Sequence, residues 1–70
     1  MKVIIFVESH LDHDWADWFD GLVITHLSNG TSQLYGTLPD QSALYGVLLK
    51  LRDLSIPLIS VEKASKGNNS

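Results

Sequence analysis

The sequence has 70 residues, of which 44% are hydrophobic and 19% charged, enough for one small domain and too few for two. It has no cysteine, which excludes disulfide bridges and cysteine-ligated metal sites. Five basic residues against eight acidic ones give a net charge of −3, and we therefore expect neither a nucleic-acid partner nor a membrane partner.

Near its start the chain has one lysine ahead of a short apolar run, Val3 to Val7. This run is too short for a secretory leader or a membrane-spanning helix, so we expect a cytoplasmic protein. Its β-branched and aromatic residues are typical of a central strand covered on both faces. We expect a single domain over residues 1–64, followed by a flexible polar tail over residues 65–70.

The acidic stretch over residues 11–20 has the length of a two-turn helix, with Asp12 or Asp14 as the N-cap. Its aromatic residues at positions i, i+3 and i+4 would form the buried face of that helix: Trp15, Trp18 and Phe19.

Ser28, Asn29 and Gly30 separate two β-rich runs, residues 21–27 and 31–38. Asn-Gly between such runs predicts a hairpin with a two-residue type I′ turn, because both turn residues need positive φ. In that register one face of the hairpin is suited to lie under a helix, and it comprises Val23, Thr25, Leu27, Leu34, Gly36 and Leu38. The other face is too apolar to be left in water, and it comprises Leu22, Ile24, His26, Gln33, Tyr35 and Thr37.

A long helix is predicted from Asp40, its N-cap, to about Leu54. Pro57 ends it, because the residue before a proline avoids helical geometry, and residues 58–62 then predict the last strand. The buried stripe of the helix comprises Leu44, Val47, Leu48 and Leu51.

These elements predict an α+β fold in which a small antiparallel sheet packs against one long helix. The order strand, short helix, strand, strand, helix, strand is that of the ferredoxin-like split βαβ fold with its first helix cut short. The alternative is a three-stranded meander followed by the helix and a last strand, in which residues 11–20 form only a loop.

The segment HLDHDWADWFDG, from His10 to Gly21, raises the question of a metal site, because imidazole and carboxylate groups are good zinc ligands. Neighbouring positions of a helix point in different directions, however, and this argues against a shared ion. We therefore interpret the segment as a capped helix with an aromatic face, and we expect no metal and no cofactor. The candidate ligands that this interpretation sets aside are His10, Asp12, His13 and Asp14.

No pattern in the sequence is typical of catalysis. It lacks a nucleophile elbow, a zinc-protease motif and a phosphate-binding glycine loop. His26 falls in a strand, with no orienting group predicted beside it. We expect no enzymatic activity.

Tyr45 and Leu49 lie one turn apart on the side of the helix opposite its buried stripe, beside Gly46. One interpretation is an aromatic–leucine pair that supports the helix. The other is a contact surface, since a glycine inside a helix is tolerated more readily where another backbone approaches.

Two longer motifs resemble a family of short uncharacterised prokaryotic proteins. The first is Trp-x-x-Trp-Phe-Asp-Gly, and the second is a helix reading roughly Asp-Gln-x-Ala-Leu-x-Gly-Leu-Leu-x-x-Ile-Arg-Asp-Leu, which corresponds to residues 40–54 of this chain. The resemblance implies a shared fold and no catalytic activity. The chain departs from the family pattern at His13, where a proline often stands, and at Ser55, where a glycine often follows the helix.

The sequence therefore favours a non-enzymatic interaction module that forms a homodimer, with another protein as a further partner. One long helix shields only one face of a four-stranded sheet, so either the segment with Trp15, Trp18 and Phe19 or a second subunit is expected to cover the other face. The alternative is a small-ligand or metal-binding regulatory domain that uses the His10–Asp14 segment or a cleft between subunits. The predicted interface residues are Leu22, Ile24, Tyr35, Tyr45 and Leu49.

Overall fold

The computed structural model describes residues 1–63. The predicted domain end at residue 64 and the predicted tail over residues 65–70 lie outside the described residues. In chain order the elements are β1 (Lys2–Val7), a 3₁₀ helix (His13–Trp15), β2 (Val23–His26), β3 (Ser32–Thr37), α1 (Gln41–Asp53) and β4 (Leu58–Lys63).

The strands form one antiparallel sheet in the order β2-β3-β1-β4. The predicted α+β class, an antiparallel sheet with one long helix, is confirmed. The strand order is that of a split βαβ arrangement, since β3 lies between the two strands that the first connection joins. The alternative meander is wrong, because it would pair β1 with β2.

The core lies between α1 and one face of the sheet. In β1 the residues Val3, Ile5 and Val7 are fully buried, while Ile4 and Phe6 on the opposite face are only half-buried. The expectation that β1 is covered on both faces therefore holds for one face only. The helix buries a stripe against this core that comprises Leu44, Val47 and Leu51.

The hairpin turns through three residues rather than two. The Leu27 N–H donates to the Thr31 carbonyl at 2.8 Å, which leaves residues 28–30 as the loop. Gly30, with φ of 84°, is the only residue of this loop in the left-handed region. The predicted type I′ turn is therefore wrong, because it requires positive φ at Asn29 as well.

This turn shifts the pairing of β2 with β3 by one residue from the predicted register. His26 pairs with Ser32 and Ile24 with Leu34. Because side chains alternate along a strand, the shift exchanges the two faces of β2. Leu22 and Ile24 are consequently buried in the core, and the prediction that they share an exposed face with Tyr35 is wrong.

The segment before β2 is not a two-turn helix. The Asp12 carboxylate caps the 3₁₀ helix by accepting a hydrogen bond from the Asp14 N–H at 3.0 Å, as one of the two predicted caps. The segment then continues as turns up to Asp20 and Gly21, which have φ of 61° and 77°. Two consecutive left-handed residues cannot continue a right-handed helix, so the chain turns here into β2.

Helix α1 lies where the sequence predicts it. The Asp40 carboxylate accepts a hydrogen bond from the Ala43 N–H at 2.9 Å and caps its start. At its end the Ser55 N–H donates to the Arg52 carbonyl and the Ile56 N–H to the Leu51 carbonyl. This is a Schellman motif, and it places Ser55 in the left-handed region with φ of 58°.

Candidate functional site

Three histidine rings form a stack beside β2. The ring of His26 lies in the middle, with centroids 4.8 Å from that of His10 and 4.6 Å from that of His13. The ring planes differ by only 7° and 10°. The sequence separates His26 from the other two by more than ten residues, and no sequence signal indicated that the three would meet.

Backbone carbonyls hold two of these rings. The Nε2 of His10 lies 3.0 Å from the Leu27 carbonyl, and the Nε2 of His26 is bonded to the Leu11 carbonyl. A carbonyl only accepts hydrogen bonds, so both Nε2 atoms must carry the proton. The stack therefore fastens the chain before the 3₁₀ helix to the β2–β3 hairpin.

The same connection continues in the interior through Ser32. Its hydroxyl accepts a hydrogen bond from the Leu11 N–H at 3.0 Å and donates one to the Ser9 carbonyl. Ser32 is fully buried, and these bonds satisfy its hydroxyl group. The contacts of the segment are thus those of a structural anchor.

The candidate metal ligands do not converge. The rings of His10 and His13 are each stacked on the His26 ring, and the Asp12 carboxylate is engaged as a helix cap. Among residues 1–63 no group of three or more histidine or acidic side chains has the geometry to hold an ion. The chemistry that this arrangement offers is ring stacking and hydrogen bonding.

The aromatic residues of the segment pack unequally. Phe19 is fully buried, Trp15 is partly buried, and Trp18 remains 46% exposed. Lys50 of α1 reaches the segment from the side, with its Nζ 2.6 Å from the Trp18 carbonyl and 5.8 Å from the centroid of the Trp18 ring. The segment thus covers one flank of the helix, in the place where the split βαβ fold has its first helix.

The face of the sheet opposite α1 has no helix over it in the described part of the chain. Strand pairing places Val23, Tyr35 and Ile4 in one row across this face and Phe6 in the next row. Val23 is 57% exposed and Tyr35 is 38% exposed. We call this surface the open face, and its polar surround comprises Lys2, Thr25, Gln33, Thr37, Ser60 and Glu62.

Of the interface residues predicted in the hairpin, only Tyr35 lies on the open face. Sequence reasoning missed Ile4, Phe6 and Val23 as its other apolar members. The signal for the first two is that β1 is apolar at even as well as odd positions. Val23 was hidden by the error in register.

Tyr45 and Leu49, the other predicted interface residues, are half-exposed on α1. The Gln41 side-chain N–H donates to the Tyr45 hydroxyl at 2.7 Å. Next to this part of the helix, between α1 and β4, lies an open cavity of about 270 Å³. We call this the α1–β4 cleft, and its lining comprises Leu48, Leu51, Arg52, Ile56 and Leu58.

No helix within residues 1–63 has the length and apolar character to cross a membrane.

Comparison with known protein families gives a match over most of the chain. A family model described as Domain of unknown function (DUF8691) matches residues 3–62. This match is consistent with the resemblance to an uncharacterised family, but it does not test the two motifs on which that resemblance was based. No curated protein and no solved structure matches the chain.

Proposed function

The chain belongs to the DUF8691 family, whose function is unknown, and we propose that this member is a non-enzymatic cytoplasmic module that associates with itself through the open face. The observation that carries the proposal is the apolar centre of that face. Val23 and Tyr35 are exposed there beside the half-buried Ile4 and Phe6. Monomeric proteins rarely leave a contiguous apolar patch of several hundred Å² in water.

The arrangement of residues on the open face is suited to contact with a second copy of the chain. The apolar residues lie at the centre and the polar ones around them, as in protein–protein interfaces. The charged residues of the open face are Lys2 and Glu62, which have opposite signs. In a two-fold dimer each Lys2 can therefore approach Glu62 of the partner subunit, and like charges need not meet.

The size of the face indicates a weak dimer. Four strands spaced by about 4.8 Å and six residues rising about 3.3 Å each give a flat footprint of roughly 400 Å² per subunit. Stable complexes typically bury about 800 Å² per partner, so we expect a dissociation constant in the micromolar range and a dimer that forms as concentration rises.

The decisive experiment is sedimentation velocity over a concentration series with the Val23→Asp variant. Val23 is exposed, so the variant should fold, but each subunit would then bury a carboxylate without a partner in the apolar centre of the interface. We expect the dissociation constant to rise by at least about tenfold, equivalent to about 1.4 kcal/mol.

The matched control is Tyr45→Asp, at a residue of similar exposure on α1. It should leave the dissociation constant unchanged. A parent protein that stays monomeric at high micromolar concentration would contradict the proposal. So would a dimer that Tyr45→Asp dissociates and Val23→Asp does not.

The alternative function, a small-ligand or metal-binding regulatory domain, has less support because no group of three or more histidine or acidic side chains within residues 1–63 could hold a metal ion. Native mass measurement with and without zinc separates the two functions. Stoichiometric zinc uptake that changes the assembly would favour the alternative.

A further inference from the structure

The loop of the hairpin contains the dipeptide Asn29-Gly30, and both residues are exposed to water. Asparagine followed by glycine is prone to lose its side-chain amide nitrogen. The reason is that the glycine backbone nitrogen can attack the amide carbon without hindrance from a Cβ atom. In a folded protein the reaction therefore depends on whether the loop leaves both groups free to react.

The backbone nitrogen of Gly30 is accessible in this loop. The hairpin closes ahead of it, where the Leu27 N–H donates to the Thr31 carbonyl, and within residues 1–63 the Gly30 N–H donates to no backbone carbonyl. Apart from the neighbouring residues of the chain, no heavy atom lies within 4 Å of the position that a Cβ would take at Gly30. Its φ of 84° favours glycine, so the loop itself requires the residue that hinders the attack least.

The side-chain amide of Asn29 is polarised by Thr31. The Thr31 hydroxyl donates a hydrogen bond to Oδ1 of Asn29 at 2.5 Å, and Thr31 is only 8% exposed. When a nucleophile attacks Cγ of an asparagine, negative charge develops on Oδ1. A donor that already lies against this oxygen stabilises that charge. The hydroxyl therefore favours attack on Asn29 in the folded chain.

We propose that Asn29 is a site of spontaneous deamidation, promoted by the Thr31 hydroxyl and requiring only water as a co-reactant. The Gly30 nitrogen loses its proton to hydroxide and forms a bond to Cγ of Asn29. The bond between Cγ and Nδ2 then breaks, and Nδ2 takes up protons and leaves as ammonia. The product of this step is a five-membered cyclic imide that includes both carbonyl carbons of residue 29.

Hydrolysis of the imide gives one of two products. Water that adds at Cγ leaves an ordinary aspartate, and water that adds at the backbone carbonyl carbon leaves an isoaspartate, whose side chain has become part of the backbone. Either product adds one negative charge to a chain with a formal net charge of −3. The strands can remain paired, because the hydrogen bond from Leu27 to Thr31 closes the hairpin ahead of the loop. Modified molecules therefore accumulate as the protein ages.

The site is independent of the proposed dimer, because the loop over residues 28–30 contributes no residue to the open face. A monomeric protein would therefore leave this inference intact, and an unmodified loop would leave the dimer intact.

The test is incubation of the full chain at neutral and mildly alkaline pH, followed by digestion with endoproteinase Asp-N and mass spectrometry. This protease cleaves before aspartate, so the unmodified chain releases residues 20–39 as one peptide, which excludes Asn68 and Asn69. Conversion to aspartate creates a new cleavage site at residue 29. Conversion to isoaspartate leaves the peptide whole and one mass unit heavier. We expect both products, at a rate that rises in proportion to the hydroxide concentration.

Thr31→Val tests the role of the hydroxyl, because valine has a similar shape and lacks the donor. We expect the folded variant to convert about two- to tenfold more slowly than the folded parent, which corresponds to the loss of one neutral hydrogen bond. Thr31→Ser keeps the donor and should keep the rate of the parent. In urea, where the chains are unfolded, the parent and both variants should convert at equal rates, and the folded parent should convert at least as fast as the unfolded one.

Asn29→Gln is the matched control for the peptide, since Gln33 lies in the same fragment and could also gain one mass unit. This variant should show neither the new cleavage nor the mass gain. A gain that persists in Asn29→Gln would place the reaction elsewhere and overturn the proposal. A folded parent that converts more slowly than the unfolded chain would also overturn it, because the loop would then protect the asparagine. Equal or faster conversion of folded Thr31→Val would overturn the role of the hydroxyl.

Discussion

Phe19 ties the segment before β2 to the core. Its ring is fully buried and lies 5.7 Å from that of Trp18 and 6.3 Å from that of Trp15, measured between centroids. Helical spacing assigns all three rings to one buried face, but the left-handed backbone at Asp20 and Gly21 prevents a regular helix. Helical spacing therefore predicts the burial of Phe19 correctly and overstates that of Trp18.

We expect Phe19→Ala to destabilise the protein by about 3–5 kcal/mol, most of what a domain of this size has. Trp18→Ala should cost less, about 1–2 kcal/mol, because much of the ring is already in water. Urea unfolding of the two variants side by side measures both effects. A larger loss for Trp18→Ala would show that the tryptophan is the anchor.

Ser55 is a second residue whose backbone matters more than its side chain. With φ of 58° it occupies a conformation that costs a non-glycine residue roughly 1–2 kcal/mol. We expect Ser55→Gly to raise the free energy of unfolding by about 0.5–1 kcal/mol, after the greater freedom of glycine in the unfolded chain is subtracted. Chemical denaturation measures the gain. Ser55→Ala serves as the control and should bring none, and a lower midpoint for Ser55→Gly contradicts the account.

At the level of whole elements, α1 and the hairpin differ in how far local sequence determines them. For α1 the N-cap Asp40, the period of the apolar residues and Pro57 all indicate the same helix. The observed helix runs from Gln41 to Asp53, as these signals predict. In the hairpin the Asn-Gly signal competes with the core. The observed register buries Leu22 and Ile24, whereas the type I′ register would bury Val23 and Thr25, which offer less apolar area. Comparing the two faces by apolar area would have found the correct register.

Neighbouring residues of β2 therefore provide a direct test of the register. Ile24→Asp places a carboxylate in the core without a partner, and we expect the protein to be unfolded at any concentration. Val23→Asp should fold, because the side chain points to the open face. Circular dichroism shows which of the two variants is folded. A folded Ile24→Asp variant and an unfolded Val23→Asp variant would support the type I′ register instead.

At the scale of the whole molecule, the number of helices and strands is enough to predict that one face of the sheet is left without a helix over it. One helix and one turn segment make a single layer over the core face of a four-stranded sheet, and β1 is apolar on both sides. The residues on the open face could not be assigned without the register. The histidine stack brings His26 against two rings more than ten positions earlier in the chain, a contact that no local pattern indicates.

The loop over residues 28–30 connects β2 to β3 but does not determine how the two strands pair. Pairing with β1 fixes β3, burial of Leu22 and Ile24 fixes β2, and the hydrogen bond from Leu27 to Thr31 closes the hairpin ahead of the loop. Ser28 is then a spare residue, and a chain lacking it would join Leu27 to Asn29-Gly30 in the two-residue turn that this dipeptide favours, with every strand pair unchanged. The same independence allows the loop to be lengthened, so this loop is a permissive position for a label or an inserted epitope.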